Sequence, residues 1–186
     1  GLLPTPAWKK KAFRRPQDQV WFPGETVNFG VGQGYLLVTP LQLAHMTTVL
    51  ANRGHSFQPR LVAGIREGSG IIQRIPPKEG KPVTGVSEEH WSRVVEGMMG
   101  ATTYGTAAAV SRGAPFTMAG KTGTAQVYTV AQSAQVHSTN VAERLRDHAW
   151  FIVFAPADKP RIAVCVLVEN GGFGASAAAP IARAVI

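Results

Sequence analysis

Residues 149–170 read AWFIVFAPADKPRIAVCVLVEN, and their reading decides the fold. Two apolar runs rich in β-branched and aromatic residues, AWFIVFA and RIAVCVLVEN, flank the linker PADKP. Runs of this length and composition read as strands, and a Pro-Asp linker of five residues reads as the turn of an antiparallel hairpin. Both runs are apolar at successive positions, so both strands are expected to be central, with helices covering each face. Upstream, FTMAGKTGTAQVYTV (residues 116–130) has the Thr, Val, Tyr and Phe content of a third strand. Downstream, SAAAPIARAVI reads as a terminal helix interrupted or started at Pro180. The expected class is α/β: a central antiparallel β-sheet flanked by helices.

Helices also precede the strands. Thr39 as cap, Pro40 at the first position, Gln42 completing a capping box and Gly54 as stop predict a helix over Pro40–Arg53. Leu43, Met46, Val49 and Leu50 are its expected buried face. A second helix is predicted over Glu88–Met99, capped by Ser87 and stopped by Gly100, with Trp91, Val94, Val95, Met98 and Met99 as its apolar stripe. PRLVAGIREG and IIQRIPP, separated by Gly-Ser-Gly, predict a peripheral hairpin. A short helical piece is expected around TAAAVSR, and a helical turn near AERLRD in an otherwise polar loop. Residues 1–34, rich in proline and glycine, read as mostly extended loop.

With 186 residues, 45% hydrophobic and 16% charged, the chain has the length and composition to bury a core. It begins at Gly1 and ends within a predicted helix, so it is expected to be a piece of a longer protein. The net charge of +8 favours anionic partners. The densest basic run, WKKKAFRRP, reads by default as a solvated face. No zinc-finger spacing, RNA-binding signature or basic heptad array accompanies it, so nucleic acid is not an expected partner. The five histidines lack metal-binding spacing, and neither metal nor cofactor is expected. The lone Cys165 excludes an internal disulfide framework and reads as a small buried hydrophobe. No apolar run approaches the ~20 residues that cross a bilayer.

Residues 119–128, AGKTGTAQVY, carry the functional question. A phosphate loop, G-x-x-x-x-G-K-[ST], needs a glycine at position 115, where Pro115 stands, and must open a helix rather than continue as a strand. NFGVGQGY likewise misses G-x-G-x-x-G, with Leu37 at the final glycine position. The simplest alternative is an edge strand whose polar residues face water. Against that, Gly123 removes one side chain from the strand beside a lysine and two hydroxyls. This pattern allows close approach and offers a cation with hydrogen-bond donors, which suits a carboxylate.

The third reading is the K-T-G strand of penicillin-recognising serine enzymes. GLLPTPAWKKKAFRRP, FGVGQGYLLVTPLQLAHMTTVLANRG, AGKTGTAQV, AERLRDH and FAPADKPRIAVCVLVENGG, in this order, resemble the C-terminal half of the transpeptidase domain in the penicillin-binding protein 2 family. These are class B enzymes of the Gram-negative rod-elongation machinery. The resemblance implies that residues 1–186 are the C-terminal portion of a transpeptidase domain and that the nucleophile-bearing part lies upstream. It implies serine acyl transfer between peptide stems ending in D-Ala-D-Ala, with β-lactams binding the same site.

By that resemblance, Lys121 supplies positive charge to the network that activates the serine, and Thr122 and Thr124 hold the substrate carboxylate. The Thr124 N–H forms one arm of the oxyanion hole, and Gly123 lets the acyl chain lie along the strand. The implied partners are a membrane glycan polymerase, elongation scaffold proteins and the upstream part of the same domain. The implied location is the periplasmic face of the inner membrane, with an anchor outside this chain. None of the eight serines has a lysine three positions on, so this chain alone is expected to be inactive. Ser138–Asn140 spells Ser-x-Asn but follows the K-T-G strand, where the family pattern places it before, and reads as coincidence. The alternative is a non-catalytic module of the same fold that binds cell wall or a protein partner.

Overall fold

The computed structural model describes residues 1–127 and 142–186. Backbone contacts divide the chain into two compact units, Gly1–Gln42 and Leu43–Ile186.

The first unit overturns the expectation of an extended loop. Helices α1 (Pro6–Ala12) and α2 (Pro23–Gly30) and a 3-10 turn at Pro16–Gln19 occupy much of it. The reason lies in where the prolines stand. Pro6, Pro16 and Pro23 each sit in the opening positions of their element, where the missing N–H costs nothing and the fixed φ is already helical. Thr5 caps α1 by accepting the Trp8 N–H. Glu25 reaches back to accept the Phe22 N–H at 2.7 Å and so caps α2.

The basic run is also not uniformly solvated. Lys10, Lys11, Arg14 and Arg15 are exposed, but Lys9 is only 3% exposed. Its ammonium pairs with Glu25, donates to the Val20 carbonyl at 2.7 Å, and lies 5.0–5.9 Å from the ring centres of Phe22, Phe13 and Tyr35. A charge can be buried only if it is paired in this way. The Lys9 hydrogen bond holds the Glu25 carboxyl below its ordinary pKa.

Helix α3 (Pro40–Ala51) begins with the predicted box: Gln42 N–H donates to Thr39 Oγ1 and Thr39 N–H to Gln42 Oε1. Its C-terminus unwinds through Arg53 (φ 51°) and Gly54 (φ 92°). Gly54 is required twice, because its φ is left-handed and a Cβ there would lie 2.9 Å from the Trp91 ring. The predicted buried face is only partly correct. Leu43, Val49 and Leu50 are half-buried, whereas Met46 is exposed and the fully buried residue is Thr47. Thr47 tolerates burial because its hydroxyl donates to the Leu43 carbonyl at 2.7 Å.

In the second unit, β1 (Gly64–Ile65) and β2 (Gln73–Arg74) form the predicted peripheral hairpin, reduced to two residues a side. Helix α4 runs over Glu88–Thr103 with Ser87 as cap, so Gly100 does not stop it. Gly100 instead makes room for a ring, since a Cβ there would lie 2.6 Å from Tyr104 Oη. Within the predicted stripe Trp91 and Met98 are buried, Val95 and Met99 are half-buried and Val94 is exposed. The helical piece after Gly105 is a 3-10 turn at Ala108–Ser111, and the turn near AERLRD is 3-10 at Glu143–Leu145.

The sheet has the order β3 (Ala119–Ala125), β4 (His148–Ala155), β5 (Ile162–Val168), antiparallel throughout. β4 alternates between two cores. Ala149, Phe151, Val153 and Ala155 pack with Met118, Ala107, Val110 and the closing helix α6 (Ala179–Val185), which Pro180 opens as predicted after the short α5 (Gly174–Ala177). Phe154 and Ile152 pack with Met98, Val95 and Leu50 on the other face. β4 is therefore central and covered on both sides, as expected. β5 is not: it is an edge strand among the described residues, and its side chains are only partly buried. Cys165 is accordingly half-buried rather than fully buried, and burial still pushes its thiol pKa up.

Candidate active site

Lys121, Thr122, Gly123 and Thr124 all lie on β3, the opposite edge of the same sheet. The strand enters this position because α4 delivers it there. Thr102, fully buried near the end of α4, donates its hydroxyl to the Met118 carbonyl at 2.6 Å and is shared with the Met99 carbonyl at 2.9 Å.

Residues paired across an antiparallel ladder share a face. Lys121 pairs with Ile152, and Gly123 with Trp150, which places Lys121 on the α4 side of the sheet. Thr122 pairs with Phe151 and Thr124 with Ala149, on the side of α6. The cation and the two hydroxyls thus start from opposite faces and meet only at the strand edge. The exposed Lys121 side chain turns toward that edge, and its ammonium donates to the Thr122 carbonyl at 2.6 Å. Among the described residues no carboxylate lies within ion-pair distance of it, since the pairs are Lys9–Glu25, Arg53–Glu88 and Arg93–Glu89. An ammonium held by a neutral carbonyl keeps its full charge for an anion.

Thr122 has a second contact that the sequence did not suggest. Its Oγ1 lies 3.3 Å from Thr106 Oγ1, in the turn that follows α4. No periodicity or motif points to Thr106, because the pairing depends on how the end of α4 docks on the strand sixteen residues later.

Gly123 is packed from two directions. A Cβ there would lie 3.2 Å from the Trp150 Cβ, and a Cβ at Gly174 would lie 2.8 Å from the Gly123 carbonyl oxygen and 2.2 Å from that of Trp150. The start of α5 therefore rests directly on the backbone of β3 and β4. The segment leading to it is fixed by Asn170, in left-handed conformation (φ 55°). Asn170 donates its N–H to His148 Nδ1 at 2.9 Å and its side-chain amide to the Arg146 carbonyl at 2.8 Å, and the Gly172 N–H donates to the Asp147 carbonyl at 2.8 Å. Nothing in the sequence singles out Gly174, because its need for a bare Cα comes from the docking of α5 on the sheet.

The Ser-Thr-Asn at 138–140 lies outside the described residues. No helix among the described residues is long and apolar enough to cross a membrane.

Residues 8–186 match the model of the penicillin binding protein transpeptidase domain. The chain is 37% identical over 186 residues to the peptidoglycan D,D-transpeptidase MrdA of Haemophilus influenzae, covering 99% of this chain and 28% of that protein. It resembles the crystal structure of Pseudomonas aeruginosa PBP2 in complex with WCK 5153, with a TM-score of 0.77 and 39% identity over 100% of this chain and 37% of that one. It also resembles PBP2 in the complex with MreC from Helicobacter pylori, with a TM-score of 0.71 and 28% identity over 98% of this chain and 30% of that one. The chain thus spans between a quarter and two fifths of the length of these relatives.

Proposed function

Since the chain belongs to the penicillin-binding protein transpeptidase domain family, we propose that it is the C-terminal portion of a peptidoglycan D,D-transpeptidase domain and forms the K-T-G-T wall of its acyl-transfer cleft. The observation that carries this is the position of Lys121–Thr124 on an open strand edge, with an ammonium that has no carboxylate partner among the described residues.

In the proposed reaction a serine from the upstream part of the domain gives up its proton and bonds to the carbonyl carbon of the penultimate D-alanine. The peptide C–N bond breaks, and the terminal D-alanine leaves as a protonated amine. An amine from a neighbouring stem then takes the acyl group and regenerates the serine. Lys121 stabilises charge in the activating network, and the Thr122 and Thr124 hydroxyls hold the terminal carboxylate. Hydrogen-bonding direction alternates along a strand. The Thr122 carbonyl accepts the Lys121 ammonium, so Thr124, two residues on, belongs to the same set and presents its N–H toward the same edge. That is the direction an oxyanion-hole donor needs, and losing such a donor costs about 3 kcal/mol of barrier. Gly123 keeps the strand flat enough for the acyl chain to lie against it.

The outer edge of β5 is unpaired among the described residues, apolar and only partly buried, which suits pairing with a strand from the upstream part of the domain. By extension from the relatives, the whole protein works at the periplasmic face of the inner membrane with a glycan polymerase and scaffold proteins such as the MreC of the Helicobacter complex. The test is acylation of the intact parent chain by a fluorescent β-lactam. Lys121→Ala is expected to reduce the rate by about 10²-fold or more; undiminished labelling of this variant refutes the role given to Lys121, whereas no labelling of the wild type points to a non-catalytic binding module.

A further inference from the structure

We infer that Thr106 is a positioning residue for this site, orienting the Thr122 hydroxyl so that its proton is committed to the substrate carboxylate. The inference rests on the proposed function and adds to it a residue outside the K-T-G-T strand.

The two hydroxyl oxygens lie 3.3 Å apart, and either can donate. Each threonine hydroxyl has one proton and two lone pairs. If Thr122 donates to Thr106, it turns lone pairs toward an arriving carboxylate and repels it. If Thr106 donates to Thr122, the Thr122 proton is free for the anion, and the donation polarises it further. A bound carboxylate therefore selects the second arrangement, and Thr106 makes that arrangement available without a water.

Thr106 is placed by the turn rather than by chance. The Tyr104 and Gly105 N–H groups both donate to the Gly100 carbonyl, at 3.1 and 2.9 Å, and the Ala107 N–H donates to Ala101 at 2.9 Å. Ala107 is 2% exposed and belongs to the core beneath the sheet. Gly105 admits no side chain, because a Cβ would lie 2.8 Å from the Ala101 Cα. With both neighbours fixed, Thr106 has its backbone set against β3. The Thr102 bond to the Met118 carbonyl holds the end of α4 to the start of the strand and keeps the two hydroxyls in register.

The experiment uses the intact parent chain with a carboxylate-bearing β-lactam, resolving acylation into the binding constant and the first-order acylation step. Thr106→Val is expected to weaken binding about tenfold, with a smaller effect on the acylation step and unchanged thermal unfolding, because Thr106 is exposed and its hydroxyl supports no core contact. Thr106→Ser, which restores the hydroxyl, is expected to return binding to within about twofold of the wild type. On a Thr122→Val background, Thr106→Val is expected to have no further effect. Wild-type binding by Thr106→Val alongside impaired Thr122→Val overturns this inference and leaves the proposed function standing. So does a Thr106→Val effect that persists undiminished without the Thr122 hydroxyl. Wild-type acylation by both Lys121→Ala and Thr122→Val overturns the proposed function, and the role of Thr106 with it.

Discussion

Replacing Gly174 with alanine places a methyl group 2.2 Å from the Trp150 carbonyl oxygen and 2.8 Å from that of Gly123. Carbon–oxygen contacts become comfortable only from about 3.3 Å, so α5 and the sheet must separate by roughly 1 Å. Neither obstacle is a side chain that can swing away, because both are backbone atoms within paired strands. Forced overpacking of this kind costs about 1–3 kcal/mol. The functional cost depends on which partner yields. α5 leads directly into α6, whose Ala179 and Ala182 are fully buried, while β3 is, among the described residues, an edge strand paired on one side. We therefore expect the 2.2 Å contact with central β4 to open a gap between α5 and the sheet, and the 2.8 Å contact to displace β3 at its outer edge, carrying Thr122 and Thr124 with it. A displacement of about 1 Å in positioning groups costs on the order of 10²-fold in rate. Thermal unfolding and fluorescent β-lactam acylation of the intact parent chain measure the two effects separately. Unchanged unfolding and acylation refute the steric argument, and lowered stability with wild-type acylation refutes the link from α5 to the site.

The Lys9–Glu25 pair gives the first unit a sensitivity to acid. Its carboxyl titrates below the unfolded value of about 4.3, so the contribution is complete above that pH and is lost as the pH falls through the lower folded value. Protection of the α1 and α2 amides, taken relative to their intrinsic exchange rate at each pH, should fall on acidification below that value. Glu25→Gln, which leaves the Lys9 ammonium buried beside a neutral amide, should show faster exchange already at neutral pH and no further acid step. Its cost should approach about 3 kcal/mol, the low end for a broken buried pair, because the Glu25 side chain keeps 18% of its surface exposed. Cys165 should alkylate more slowly in the folded protein than after unfolding, since its thiol pKa is raised and the thiolate is the reacting form. Equal rates in the two states would show that β5 is not held in the sheet.

The parts of the fold legible in the sequence were those where one local rule acted alone. The 149–170 hairpin followed from two apolar runs and a Pro-Asp linker, and the start of α3 from Thr39, Pro40 and Gln42. The misreadings came from residues with two possible meanings. Pro6, Pro16 and Pro23 read as breakers, yet each opens a helical element. Gly100 read as a stop, yet it gives space to Tyr104. Lys9 read as solvated because burial of an ammonium depends on Glu25, sixteen residues away. At the candidate site, the strand setting of Lys121–Thr124 was legible from the residue content of 116–130. Thr106 and Gly174 were not, because they reach β3 only through tertiary docking of the α4 turn and of α5.

The sheet order also sets a sequence of assembly. β4 and β5 are separated by 6 residues (156–161), β3 and β4 by 22 (126–147). Closing the longer connection costs about 1 kcal/mol more in chain entropy, and it brings in the strand with fewer apolar side chains to repay it. The hairpin is thus the natural nucleus, and the strand carrying Lys121, Thr122 and Thr124 zips onto it afterwards. The proposed wall of the cleft would be the last of the three described strands to form and the first to open, so in the intact parent chain transient loss of β-lactam reactivity should precede any loss of the hairpin core.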